Sequence, residues 1–144
     1  MVAGRLTAVC CLVLLGPAAL AAQAEQEGTL QAAAQSARGA WLAHDVQGLV
    51  AGSPNLILQI PGADPSSPVG RSHAAELLRR YLATAEEQSL TVVTVREVEE
   101  GKGFVELARR YVVRGTSDER RETVFLGFRR VSAGWRLTEV RTTG

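Results

Sequence analysis

The chain has 144 residues, of which 46% are hydrophobic, 22% charged and 5% aromatic. An ordinary domain takes roughly 100–150 residues, so a multidomain enzyme, a β/α barrel and a two-lobed kinase are excluded. Sixteen basic residues against fifteen acidic ones leave a net charge of +1, which supplies no electrostatic case for nucleic acid.

Residues 1–24 have the layout of a secretory signal peptide. A short start with Arg5 precedes an uncharged run from Leu6 to Ala22, interrupted by Gly16 and Pro17. Ala22-Gln23-Ala24 fits small-x-small cleavage before Glu25, and Ala19-Leu20-Ala21 offers an alternative site upstream. An uncleaved anchor would want about 20 apolar residues without an early Gly-Pro break. Cys10 and Cys11 lie inside the apolar stretch, not after a small-residue lipobox. Cleavage would place the protein in the periplasm or outside the cell, with no stable membrane span. The mature chain would contain no cysteine, which removes thiolate metal sites, thiol catalysis and disulfides. Without Arg5, fifteen basic residues balance fifteen acidic ones, and Lys102 is the sole lysine.

The rest, residues 25–144, reads as a single domain, helical first and then stranded. From Thr29 to Ala51, Leu30, Ala33, Ala34, Ala37, Trp41 and His44 recur at helical spacing. Ala43-His44-Asp45 marks a break, with Asp45 capping a second short helix through Val50. Gly52-Ser53-Pro54 stops it, Asn55 to Pro61 is a brief apolar strand, and Gly62 to Pro68 is a loop dense in turn residues. A further helix is expected from Ser72, as its N-cap, to about Ala85, with Ala74, Leu77, Leu78, Tyr81 and Leu82 on its apolar stripe. The period then switches to two. Strands are expected over 90–98, 104–114, 121–131 and 135–141, joined by short polar turns as an antiparallel meander.

That order indicates an α+β fold, a curved antiparallel sheet wrapped around N-terminal helices. Trp41-Leu42-Ala43-His44-Asp45 followed by Leu49 and Asn55–Ile60 resembles the opening of nuclear transport factor 2-like (SnoaL-like) domains. Pro68-Val69-Gly70-Arg71 before a helix, and the closing Gly134-Trp135-Arg136-Leu137, are similar to later segments of the same family. The likeness covers about residues 29–144. It implies a cone with a pocket between sheet and helices. Family members include steroid isomerases, dehydratases, polyketide cyclases, and small binding or accessory modules, among them secreted bacterial proteins of unknown function. It also implies a possible homodimer, and Val124, Phe125, Leu126 and Phe128 give one strand apolar side chains on both faces.

The pocket candidates are Trp41, His44, Asp45, Leu58, Tyr81, Arg109 and Tyr111. His44 and Asp45 could act as an oriented base, but adjacent helical residues point about 100° apart, and a helix-end histidine beside a capping aspartate is the plainer reading. His73, in the first turn of its helix, is expected to face solvent. Tyr81 and Tyr111 lie on apolar stripes, where a hydroxyl serves either a cavity or the core. Glu97, Glu106, Glu122 and Glu139 are expected in exposed ion pairs with neighbouring arginines. Arg109 shares a face with Val105, Leu107, Tyr111 and Val113. An inward arginine could clamp an acidic ligand, whereas the plainer expectation has its stem covering the sheet and its head in water.

No Gly-rich phosphate loop, Gly-x-Ser-x-Gly elbow or His-Glu-x-x-His helix is present. No cofactor, metal or nucleic acid is therefore expected, and no catalytic residue is assigned. The expected function is an exported non-catalytic module binding a small apolar or acidic ligand. The alternative is a metal-independent isomerase, dehydratase or cyclase working in the cone.

Overall fold

The computed structural model describes residues 29–132 and 134–144. The expected signal peptide, residues 1–24, lies outside them.

Helix α1 spans Leu30–Leu42, its first turn capped by the Thr29 hydroxyl, which accepts from the Ala32 amide at 3.1 Å. It ends where His44 adopts a left-handed backbone with φ 53°. The His44 and Asp45 amides fold back onto the Trp41 and Ala40 carbonyls, at 2.9 and 2.8 Å. This is a Schellman closure, in a position where glycine is the usual occupant. Asp45 then caps α2, Val46–Val50, by accepting from the Gly48 amide at 2.9 Å.

Strand β1, Asn55–Gln59, leads through a loop to the two-residue β2, Val69–Gly70, and to helix α3, Arg71–Ala83. Ser72 is not the cap. Gly70 holds that position without a side-chain bond, and the Arg71 amide donates instead to the Pro54 carbonyl at 3.2 Å. Four strands follow: β3, Ala85–Glu99; β4, Lys102–Val113; β5, Glu119–Val131; and β6, Gly134–Thr143. Ala85, expected at the end of the helix, is already the first residue of β3 and pairs with Val113. The turn between β3 and β4 holds only Glu100 and Gly101, with Gly101 at φ 75°, where a side chain would be strained.

The sheet runs β2-β1-β6-β5-β4-β3. The last four strands form the expected antiparallel meander, while β1 joins β6 in parallel, Leu58 opposite Val140. Register shifts in β3 and at Gly127/Phe128 let the long strands bend around the helices. The resulting α+β cone buries Val105 and Leu107 of β4, Val124, Leu126 and Phe128 of β5, and Leu137 and Val140 of β6. Ala34, Ala37 and Trp41 of α1 and Leu78 and Leu82 of α3 cover them. Ser53, fully buried, ties the chain before β1 to this wall by donating to the Leu137 carbonyl at 2.7 Å.

Leu126 sits on the central strand with both neighbours paired. Leu126→Ala should lower the unfolding free energy by about 2–5 kcal/mol, the cost of a core cavity. Urea unfolding will show this, and a loss below about 1 kcal/mol would mean the helices do not press on that face.

Candidate functional site

Alternation along β4 turns Arg109 inward with Val105 and Leu107, and its side chain is fully buried with the residue 1% exposed. The expectation of a head in water is therefore corrected. The guanidinium lies too deep in the cone to reach solvent, and carboxylates of the chain itself compensate its charge. Nε donates to Glu87 Oε2 at 2.9 Å, and Nη2 bonds Glu87 Oε1, completing a two-pronged contact. Nη1 donates to Glu122 Oε1 at 2.5 Å and to the Tyr81 hydroxyl at 2.9 Å, and the Tyr81 hydroxyl itself donates to Glu122 Oε1.

Strand register explains the meeting. Arg109 stands directly opposite Glu122 on β5, and Glu87 on β3 stands opposite Tyr111, the next inward residue of β4. Three rings enclose the cation. Its central carbon lies 4.0 Å from the Tyr111 ring centroid and 5.2 Å from those of Trp41 and Tyr81. Trp41 and Tyr81 meet edge to face at 6.2 Å. The Trp41 indole N–H is buried and has no hydrogen-bond partner among the described residues.

Burial works against the charge on Arg109, but the interactions with Glu87, Tyr81 and Glu122 together outweigh it and hold its pKa above the ordinary arginine value. Burial also pushes the Tyr81 phenol well above its ordinary value of 10, and donation to Glu122 pushes it further. The Glu87 and Glu122 side chains are 5% and 10% exposed. Two carboxyl groups share one guanidinium.

The other candidates divide into those that reach this cluster and those that do not. His44, 27% exposed, points Nε2 at Glu87 Oε1 across 3.2 Å and so touches the cluster from the helix side. Asp45 is occupied as a cap, Leu58 is core, and His73 is exposed at the start of α3. Glu97 and Glu139 do form exposed pairs, with Arg130 and Arg141. Glu122 departs from that expectation, because it faces the buried Arg109. Glu87 escaped sequence reading altogether. It follows a helix pattern without a turn signal, and only the pairing of β3 from Ala85 reveals its inward direction.

At the open end of the cone, beyond Glu122, a cavity of about 450 Å³ is bounded by Pro61, Tyr111, Arg120, Arg121, Glu122, Thr142 and Gly144. Arg120 at its rim is engaged by Asp118 at 3.0 Å. On the opposite, outer face of the sheet, Phe104 and Phe125 lie 5.7 Å apart, with Arg96 and Arg141 over their rings. Among the described residues, no three His, Cys, Asp or Glu side chains converge as a metal site would require.

No family model and no curated protein matches the sequence. Solved structures do share its fold. A ketosteroid isomerase-like protein from Erwinia carotovora atroseptica matches with TM-score 0.64 and 19% identity, over 78% of this chain and 91% of that one. A DUF4783 family protein from Bacteroides fragilis matches with TM-score 0.60 and 16% identity, over 74% and 93%. A candidate dehydratase of the nuclear transport factor 2-like family from Streptomyces avermitilis matches with TM-score 0.59 and 17% identity, over 85% and 96%. The chain has the nuclear transport factor 2-like fold, as the motifs at Trp41–Asp45 and Gly134–Leu137 imply. Because that fold hosts many functions, the site must argue the rest.

Removing the cation strands two buried carboxylates. Arg109→Met should destabilise the protein by about 3–5 kcal/mol at neutral pH. Urea unfolding at neutral pH will show this, and a loss below about 1 kcal/mol would mean that the head contributes only packing. For Tyr81 the raised pKa gives stability that is complete below pH 10 and lost as pH climbs through the higher folded value. Tyr81→Phe should flatten the alkaline decline in melting temperature, and an unchanged decline would contradict the bond to Glu122.

Proposed function

We propose that the protein is exported after cleavage before Glu25 and acts as a ligand-binding or accessory module, with the open end of the cone as its binding place. The observation that carries this is the occupation of the cone interior by the Arg109 cluster. Tyr81, Glu87 and Glu122 carry acid–base character in the cone interior and all three are bonded to Arg109, while His44 is engaged with Glu87. An isomerase, dehydratase or cyclase needs such a group free to meet a substrate. Ketosteroid isomerase-like and dehydratase neighbours support the cone as a place for small molecules, but this chain has filled its base with an ion cluster. The roughly 450 Å³ beside Tyr111 and Thr142 lies within the usual size of a small-molecule site.

The outer face of the sheet supports a homodimer as part of the same reading. The Phe104–Phe125 pair supplies an apolar centre, flanked by Arg96. Glu106, turned to the same face opposite Phe125, makes no ion pair with the described residues, contrary to the exposed pairing expected for it. Two copies related by a twofold axis could pair Arg96 of each with Glu106 of the other.

Native mass spectrometry after expression of all 144 residues in an exporting host tests the proposal. The expected species is a dimer of chains beginning at Glu25 that releases a small molecule on activation. An unprocessed chain would contradict export, and a ligand-free monomer would contradict both the dimer and a retained ligand.

A further inference from the structure

We infer that the outer face of the sheet takes a small apolar carboxylate, anchored on Arg129 beside the gap left by Gly127. The site occupies the end of that face nearest the β3–β4 turn and needs nothing from the cone. It lies where strand register brings three cations side by side. Lys102 of β4 stands opposite Arg129 of β5, which in turn stands opposite Arg136 of β6. Like charges directly across a sheet repel one another unless an anion comes between them. Lys102 has such a partner, its ammonium lying 3.2 Å from the Glu99 carboxylate. Arg129 and Arg136 make no ion pair with the described residues, and the Arg136 Nε is buried without a hydrogen-bond partner among them.

The next rung of the sheet supplies the cradle. Phe104 stands opposite Gly127, and Gly127 stands opposite Glu139. The missing side chain at Gly127 leaves a cavity of about 340 Å³, with Ile57, Val98 and Phe104 as apolar walls. A Cβ on Gly127 would come within 3.1 Å of the Glu139 Cβ and 3.6 Å of the Thr138 hydroxyl, so a larger residue would fill the gap. The charged groups lining the cavity are Lys102, Arg129 and Glu139. Glu99 answers Lys102, and Arg141 lies 3.1 Å from Glu139, which leaves Arg129 without a counter-charge. Arg136 adds a second unanswered cation directly across from it. A guanidinium fork grips a carboxylate through two parallel bonds, whereas a hydroxyl brings no charge and an ammonium brings the wrong one. The volume suits a ring with a short arm.

Phenylacetate, phenethyl alcohol and phenethylamine share one ring and differ in the charge they present. Amide chemical-shift titrations of the protein purified from a host expressing all 144 residues should rank them in that order. Phenylacetate should bind about tenfold more tightly than the alcohol, with the amine weakest, and shifts should centre on Phe104, Gly127 and Arg129. Arg129→Gln, an exposed substitution, should erase the preference for acid over alcohol. Gly127→Val fills the cradle and should abolish binding of all three; if it fails to fold, Arg129→Gln decides alone. Binding led by the alcohol or the amine would overturn the carboxylate class. An acid preference that survives Arg129→Gln would overturn Arg129 as the anchor, and undiminished binding to folded Gly127→Val would overturn the cradle. Shifts centred instead on Tyr111 and Thr142, or failure of all three probes, would overturn the outer-face site itself.

Discussion

One guanidinium gripped by two carboxylates organises the base of this cone. Arg109 of β4 joins Glu87 of β3 to Glu122 of β5, and Tyr81 brings α3 to the same point. A buried arginine is costly to desolvate, and its partners repay that cost only with good geometry and satisfied donors. The two-pronged contact to Glu87, the shared oxygen of Glu122 and three surrounding rings meet that condition. Such a cluster adds little net stability over an apolar core of equal volume. It does impose a register, because a one-residue slip of β3 or β5 would turn Glu87 or Glu122 outward and strand the cation.

The same interaction shapes what the fold can do. Cones of this architecture can hold small molecules between sheet and helices, but here Trp41, Leu58 and the Arg109 cluster occupy the depth of the space. At the open end, Glu122 is shared between the cluster and the cavity. His44 reaches the cluster from the other side because the Schellman closure of α1 places it in a left-handed conformation beside β3. The cluster therefore has two accessible edges, one imidazole and one carboxylate, with the buried cation between them.

Much of the fold was legible because its signals are local. Asp45 announces a helix start through side-chain capping, and two-residue periodicity over Leu90–Val131 announces strands. What escaped depends on distance along the chain. The parallel pairing of β1 with β6 joins segments some eighty residues apart, and no local pattern encodes it. Arg109 stood out as a charge on an apolar stripe, yet its partners lie 22 residues before it and 13 after it, so neither could be named without strand register. Glu122 looked like the exposed Glu97 and Glu139 because alternation alone does not say which face of a meander is inward. Ser72 was a sound cap by residue type, displaced because the first amide of α3 found a backbone carbonyl across the β1–β2 junction.

The central claim is that the Arg109 head is immobilised by the chain's own carboxylates. Side-chain nitrogen NMR of arginine at neutral pH tests it most directly. Trapped between Glu87, Glu122 and three rings, Arg109 should show separate, slowly exchanging Nη protons, with an Nε proton protected from solvent. A single averaged Nη signal with rapid solvent exchange, like that of a surface arginine, would contradict the account.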